Sequence, residues 1–420
     1  MTNVMSDADT ARVRAMLINA HHAAIDAVGG RVAVGRYMRT IERERLPTHA
    51  VAVGKAAADM MAGALDVLGN DLRDALVITK HGHSSGLAEY LGTVSVIESA
   101  HPVPDASCLQ AGEALWRFFR DAPRDARFLL LMSGGASSLA EYLAPGLEVN
   151  FMARVNAWLL ASGLSIGPMN RVRKRISRIK GGRLAFAVDG RDTLSLMISD
   201  VPNDDPKVIG SGPLAWHDES DIDVADLALP GWLADALANA PALAPASAFN
   251  CVQSQLVANP AMAKAAAAAS LREQGAKVCV HDELLEGDAV DTGLQIVDVA
   301  HRQRGTVHLW SSETTVKLPD SPGRGGRCQT LALSAARQLE GRGEVVVLAA
   351  GTDGTDGPGE DAGAVVDSLS VARGRKHGRS ADVDLDAADA GSFLAASGDL
   401  LRTGPTGTNV MDLLMSWSAP

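Results

Sequence analysis

Residues able to handle anions stand directly after short apolar runs throughout this 420-residue chain. Gly54-Lys55-Ala56-Ala57 follows HAVAV (49–53), and Ser133-Gly134-Gly135-Ala136-Ser137-Ser138 follows FLLLM (128–132). Asp200, Asp204 and Asp205 come after LSLMIS (194–199). Ser311-Ser312-Glu313-Thr314-Thr315 extends TVHLW (306–310), and VVVLAA (345–350) leads into GTDGTDGPGED with Asp353, Asp356 and Asp361. A further glycine-rich turn, Gly323-Arg324-Gly325-Gly326-Arg327, carries two guanidinium groups.

Each group has a defined use. Small residues after a strand let backbone N–H groups approach an anion, and the following helix start adds partial positive charge; a tight turn capped by serine would use the same residues. The ammonium of Lys55 suits a phosphate or carboxylate, and arginine offers a planar fork for either. The aspartates are hard oxygen donors, of which a nucleotide-bound Mg²⁺ takes only one or two; others serve caps and Asx-turns. No G-x-x-x-x-G-K-[ST] loop and no EF-hand pattern occurs. The segment 171–183 holds seven basic residues and no acid. Val172, Ile176 and Ile179 are spaced to bury one face of a helix ended by Gly181-Gly182, displaying Arg173 and Lys180 among the bases around it.

The elements that must position these loops alternate between continuous apolar runs and alanine-rich helical stretches. Further runs are ALVIT (75–79), TVSVI (93–97) and KVCVH (277–281). Such runs predict strands buried on both faces, hence an α/β fold with largely parallel sheets. The length predicts two domains. Pro230, Pro241 and Pro245 interrupt the rhythm, placing the boundary near 240–250, with a Rossmann-like domain over 1–245 and a second α/β domain over 246–420. Ligands of open α/β sheets sit beyond the carboxyl ends of the strands, so loops from both halves predict one site in a cleft between the domains.

Composition narrows the function classes. Lys and Arg total 39 against 50 Asp and Glu, a net charge of −11, which argues against a general nucleic-acid binder. The basic segment also lacks interleaved aromatics for stacking bases. Cys108, Cys251, Cys279 and Cys328 are too far apart for a C-x-x-C motif and read as buried small hydrophobes in a reducing compartment. The expected setting is the cytoplasm, with no membrane partner.

Among reaction classes, phosphoryl transfer needs anion cradles, cationic clamps and a metal carboxylate, and all three occur at strand ends. A nicotinamide dehydrogenase needs G-x-G-x-x-G straight after a strand. The first turn reads VGKAAADM, and the G-x-G-x-x-A at 357–362 starts seven residues past its strand and carries two carboxylates. A non-catalytic sugar-phosphate or acid-sensing module would share the anion loops without needing the aspartates.

Together these motifs resemble the glycerate 2-kinases with a C-terminal MOFRL domain, some of which bear the name hydroxypyruvate reductase. The resemblance runs from about residue 12 to 415. It rests on AVGKAAADMM, ESAHPVPDASCLQAG, LMSGGASSL, MNRVRKRISRIKGGRLA, ISDVPNDDPKVIGSGP, SSETTV, GRGGRCQTLAL, GTDGTDGPGEDAGAVVD and GPTGTNVMDLL. It implies ATP- and Mg²⁺-dependent conversion of D-glycerate to 2-phosphoglycerate. Hydroxypyruvate reduction with NAD(P)H, or phosphorylation of another small hydroxy acid, are the alternatives. Lys55 matches the family's active-site lysine, and its catalytic arginine falls on Arg324 or Arg327. Expected substrate and phosphate contacts are Ser133, Gly134, Gly135, Ser137, Arg173, Lys180 and Glu313. Asp200, Asp205, Asp353 and Asp356 are the expected metal or nucleotide ligands. A homodimer is the one assembly left open. The chain departs from the family pattern at Ala136, Ser311 and Ser312, where glycines are replaced and extra Cβ atoms enter phosphate-cradling loops, and at Cys328 and Thr330, where the family has Asn and Glu.

Overall fold

The computed structural model describes residues 6–84, 87, 94–101, 103–342 and 344–420. It divides into two compact units, Gly29–Ala258 and a second made from the chain up to Val28 together with Asn259–Pro420. The expected division at 245/246 is therefore corrected in two ways. The boundary lies after Ala258, because the proline-rich stretch leads back to a last strand of the first sheet, Val252–Ala258, whose polar, half-exposed residues hid it. The first helix, Asp7–Val28, belongs with the C-terminal chain, packing on helix Pro260–Glu273. Asn259 starts that second helix by accepting from Met262 N, with proline at the first helical position.

In Gly29–Ala258 six strands form one sheet: β1 (His49–Val53), β2 (Asp74–Lys80), β3 (Ser95–Ser99), β4 (Phe128–Met132), β5 (Thr193–Ile198) and β6 (Val252–Ala258). Every pairing is parallel, in the order β3-β2-β1-β4-β5-β6. This is the doubly wound order, and it reverses between β1 and β4. β1 and β4 are buried along their whole length because helices cover both faces. Phe119, Phe128, Leu130 and Val188 sit in the core on one side. Each such side chain contributes roughly 1.5–3 kcal/mol by leaving water.

The other unit holds β7 (Lys277–Asp288), β8 (Thr306–Thr315), β9 (Val345–Gly351), β10 (Gly363–Asp367), β11 (Leu400–Leu401) and β12 (Asp412–Ser418), in the order β11-β10-β9-β12-β8-β7. Here only β7 and β8 run parallel; the other four pairings are antiparallel. The α/β class holds for both units, but the largely parallel expectation holds for the first sheet alone. Continuous apolar runs report that both faces are covered, which helices do here without fixing strand direction. The last strand, β12, enters between β8 and β9, setting Asp412 opposite Ser312 and Gly351. Among the described residues no helix is long and apolar enough to cross a membrane.

Candidate active-site loops

In the parallel sheet, Val53 and Met132 are register partners on the two strands flanking the switch point. The turns that follow them leave side by side and lock together. Ser133 N donates to Val53 O at 3.1 Å, Lys55 N donates to Gly134 O at 2.9 Å, and Ala56 N donates to Ser133 Oγ at 3.1 Å. Gly54 has φ +135°, and a Cβ there would stand 2.1 Å from Ser133 Oγ and 2.7 Å from its carbonyl oxygen. Ser133 is fully buried, so its hydroxyl braces this junction. Gly135 lies under Lys55 and His101: a Cβ on it would be 3.0 Å from the imidazole and 3.4 Å from Lys55 Cγ. Ser137 Oγ meets Ser211 Oγ at 2.8 Å, and Ser211 is held at φ +64° in a loop whose carbonyls accept from Gly181 N and Gly182 N. Lys55, the glycine pair, His101 and the two serines thus gather at the carboxyl end of the sheet. Asp200 follows the neighbouring β5, and Asp205 Oδ1 closes an Asx-turn on Lys207 N at 2.9 Å.

The basic segment mostly serves the fold. Its helix is Ile166–Arg175, ending before the predicted glycine stop. Lys180, expected at a phosphate, is instead buried in an ion pair with Glu141 at 2.6 Å. Arg183, 1% exposed, donates to the carbonyls of Lys174 and Pro241, and burial followed by Arg175 pulls its pKa down to about 10. Lys174 meets His217 Nε2 at 2.9 Å; burial lowers the pKa of both. Arg171 binds Asp226. Arg173 differs: half-buried, it bonds only Asn170 Oδ1, with no carboxylate within ion-pair distance among the described residues. Burial lowers its pKa, against a weaker pull from Glu141. A desolvated guanidinium in that state favours an incoming anion.

In the mixed sheet, helix Arg327–Leu339 opens where β8 and β9 end and β12 begins. Arg327 Nε donates to Asp412 Oδ2 at 2.6 Å, and its Nη1 donates to Glu313. Glu313, expected to meet substrate, is thus an anchor of the arginine. Gly326 approaches so closely that a Cβ would be 2.3 Å from Asp356 Oδ1. Asp356 in turn accepts from Cys328 N at 3.0 Å and Gln329 N at 2.8 Å. Both its oxygens cap the helix, a structural use beside the metal or nucleotide contact expected of it. Burial, then Asp412, push its carboxyl up to about 7. Asp412 is also pushed up by burial, with Arg327 opposing. Asp353 Oδ1 closes a turn on Thr355, accepting from its N and its Oγ1 at 3.0 Å. Arg324 lies on the exposed side of the turn, donating to Asp361, which also accepts from Arg402 Nε at 2.7 Å.

His101, Ser211, Glu141 and Asp412 were not singled out from the sequence. Asp412, His101 and Ser211 do stand inside quoted motifs, but none directly follows an apolar run.

Residues 16–230 match the family described as Domain of unknown function (DUF4147), and residues 306–412 match the MOFRL family. A D-glycerate 2-kinase of Thermotoga maritima is 34% identical over 87% of this chain and 89% of its own. A glycerate 2-kinase of Pyrococcus horikoshii is 33% identical over 88% and 86%. An Agrobacterium vitis protein provisionally named hydroxypyruvate reductase is 38% identical over 86% and 97%. The crystal structure of a Thermotoga maritima glycerate kinase superposes with a TM-score of 0.85 at 32% identity, covering 97% of this chain and 99% of that one.

Proposed function

Since the chain belongs to the glycerate 2-kinase family, with its DUF4147 and MOFRL regions, we propose that it transfers the γ-phosphoryl group of ATP to the 2-hydroxyl of D-glycerate. The products are 2-phosphoglycerate and ADP, and the hydroxyl proton is released. The observation that carries this reading is the junction of Gly54-Lys55 with Ser133-Gly134 at the switch point of the parallel sheet. It delivers an ammonium group over a glycine turn where open α/β sheets bind their ligands. The same junction weighs against the reductase reading. A dinucleotide pyrophosphate would approach the backbone of the first turn, and Ser133 already fills the space beside Gly54.

Roles follow from where the fold places each group. Lys55 offsets charge on the transferring phosphoryl group, and Arg173 takes the glycerate carboxylate. Of the two arginines, Arg327 is assigned the catalytic role, because Asp412 and Glu313 fix its position while Arg324 sits on an exposed turn. Asp200, Asp205 and Asp353 are hard oxygen donors of the type that suits Mg²⁺ or the nucleotide that carries it. When bound there, Mg²⁺ neutralises phosphate charge. A cytoplasmic setting, with its ATP supply, completes the reading.

The test is turnover of the purified protein with ATP, Mg²⁺ and D-glycerate, with phosphorus NMR assigning the product. 2-Phosphoglycerate is expected; stoichiometric NADH consumption with hydroxypyruvate and no phosphorylated product reverses the reading. Lys55→Ala and Arg327→Ala each lower kcat by about 10²–10³, and Arg324→Ala by less than about tenfold. Arg327→Lys keeps a charge beside Asp412 and separates catalytic loss from unfolding. Full turnover in Lys55→Ala removes that residue from the site.

A further inference from the structure

Away from these loops, the parallel pair β7–β8 brings together three side chains of metal-ligand type. Cys279 and His281 are two residues apart on β7 and so share a face, and His308 on β8 is the register partner of Cys279. One donor atom from each lies within 4.8 Å of the others. We infer that Cys279, His281 and His308 form a binding site for a soft divalent cation, Zn²⁺ above all.

Thiolate with two imidazoles selects zinc over magnesium, so this site is distinct in kind from any carboxylate site for nucleotide-bound Mg²⁺. Zinc takes nitrogen at 2.0–2.1 Å and sulfur at 2.3 Å, so tetrahedral donors stand about 3.3–3.6 Å apart. His281 Nε2 and His308 Nδ1 are now 2.9 Å apart, sharing a proton. A cation replacing that proton needs the two rings to part by only about 0.4 Å.

The surroundings are those of a supported site. Glu283 Oε1 stands 3.3 Å from His281 Nδ1, the ring nitrogen not aimed at the cluster, as the carboxylates behind metal-bound histidines do. Trp310 stacks on His281 at 4.3 Å and 12°, fixing the ring plane. His308 is buried, while Cys279 and His281 are partly exposed, which leaves an entry path and room for a water as fourth ligand.

Tautomers decide the matter further. With His281 Nδ1–H directed to Glu283, its Nε2 can only accept, so His308 must donate from Nδ1. His308 Nε2 is then an acceptor, buried with no hydrogen-bond partner among the described residues. Ser416, opposite His308 on β12, is also buried with its Oγ unpartnered. If Nδ1 binds a cation instead, Nε2 carries the proton and becomes a donor.

The test uses the full chain, stripped with chelator and kept in excess Mg²⁺ to occupy carboxylates. Calorimetry with Zn²⁺ should give one equivalent. Co²⁺ should give the near-ultraviolet thiolate charge-transfer band and the intense visible bands of a tetrahedral site. Cys279→Ser should abolish the charge-transfer band and, like His308→Gln, weaken Zn²⁺ at least 10²-fold; Glu283→Gln should weaken it about tenfold. Sub-stoichiometric Zn²⁺ binding by the wild-type chain, an octahedral Co²⁺ spectrum, or unchanged affinity in a folded Cys279→Ser protein would each overturn the inference. The wild-type measurements decide it even if a variant fails to fold.

Discussion

Replacing Gly54 with alanine tests the junction on which the proposed site depends. The new Cβ would lie 2.7 Å from the Ser133 carbonyl oxygen, about 0.7 Å short of ordinary contact. It would also lie 2.1 Å from Ser133 Oγ, but a hydroxyl can rotate, whereas the carbonyl belongs to the backbone continuing a fully buried strand. At φ +135° alanine is also strained, by roughly 1–3 kcal/mol. Adding the overpacking, the substitution costs about 2–4 kcal/mol, a fall in Tm of roughly 5–10 °C for a unit of this size. Parting the turns by that distance lengthens the bonds from Lys55 N to Gly134 O and from Ala56 N to Ser133 Oγ, moving the ammonium off its mark. A misplacement near 1 Å costs on the order of 10² in turnover, so kcat should fall far more than the folded fraction does below Tm. The assays are calorimetric melting and single-turnover phosphoryl transfer at 25 °C on the folded variant. A Gly54→Ala protein that melts within a degree of wild type and keeps its kcat would refute the steric argument. One that melts low but turns over normally would detach the junction from catalysis.

Two other outcomes follow from burial. Lys180→Ala strands Glu141 without its cation and should cost about 3–5 kcal/mol, while Lys180→Met with Glu141→Leu restores most of it; denaturant titration reads both, and a stable Lys180→Ala with a raised KM would return Lys180 to the substrate. His21, buried in the first helix, has its pKa lowered from 6.5 to about 4 by burial and then by His22. Below pH 6.5 the unfolded chain takes up a proton that the folded chain refuses until about pH 4. Stability present above 6.5 is therefore lost as pH falls, by roughly 3 kcal/mol at the acid end. His21→Leu should flatten that slope in paired melts at pH 7 and pH 4.5, and an unchanged difference between the two proteins would contradict the burial argument.

Among the strands legible in the sequence, β1, β4 and β9 are those whose burial on both faces made their residues uniformly apolar. Where a strand mixes polar and apolar residues the pattern fails: β6 is half-exposed at a sheet edge, and β12 carries Ser416 and Ser418, both buried, in the middle of its sheet. Strand direction was not legible, since coverage by helices looks the same for either. The loops after strands were, because their chemistry is written in consecutive residues. What escaped was partnership over distance. Nothing local to Lys180 announces Glu141, 39 residues earlier, and nothing local to Arg327 announces Asp412, 85 residues on. The same holds for Cys279, which reads as a buried hydrophobe until strand register sets His308 beside it.

The first helix has its packing partners in the stretch of chain that follows the inserted unit. Val13, Leu17, Ala20, Ala24 and Val28 find their first cover only when helix Pro260–Glu273 exists, after residues 29–273 have been made. At about 5–20 residues per second, that is a wait of roughly ten to fifty seconds on the ribosome. During that time an apolar stripe is tethered beside a unit able to complete its own sheet. Vectorial synthesis thus gives this chain a defined early client for a holding chaperone, and the second unit an assembly step that closes only late in translation. Severing the chain at 258/259 would yield a C-terminal fragment lacking one of its own helices, whereas supplying residues 7–28 as a separate peptide should allow that fragment to complete its fold.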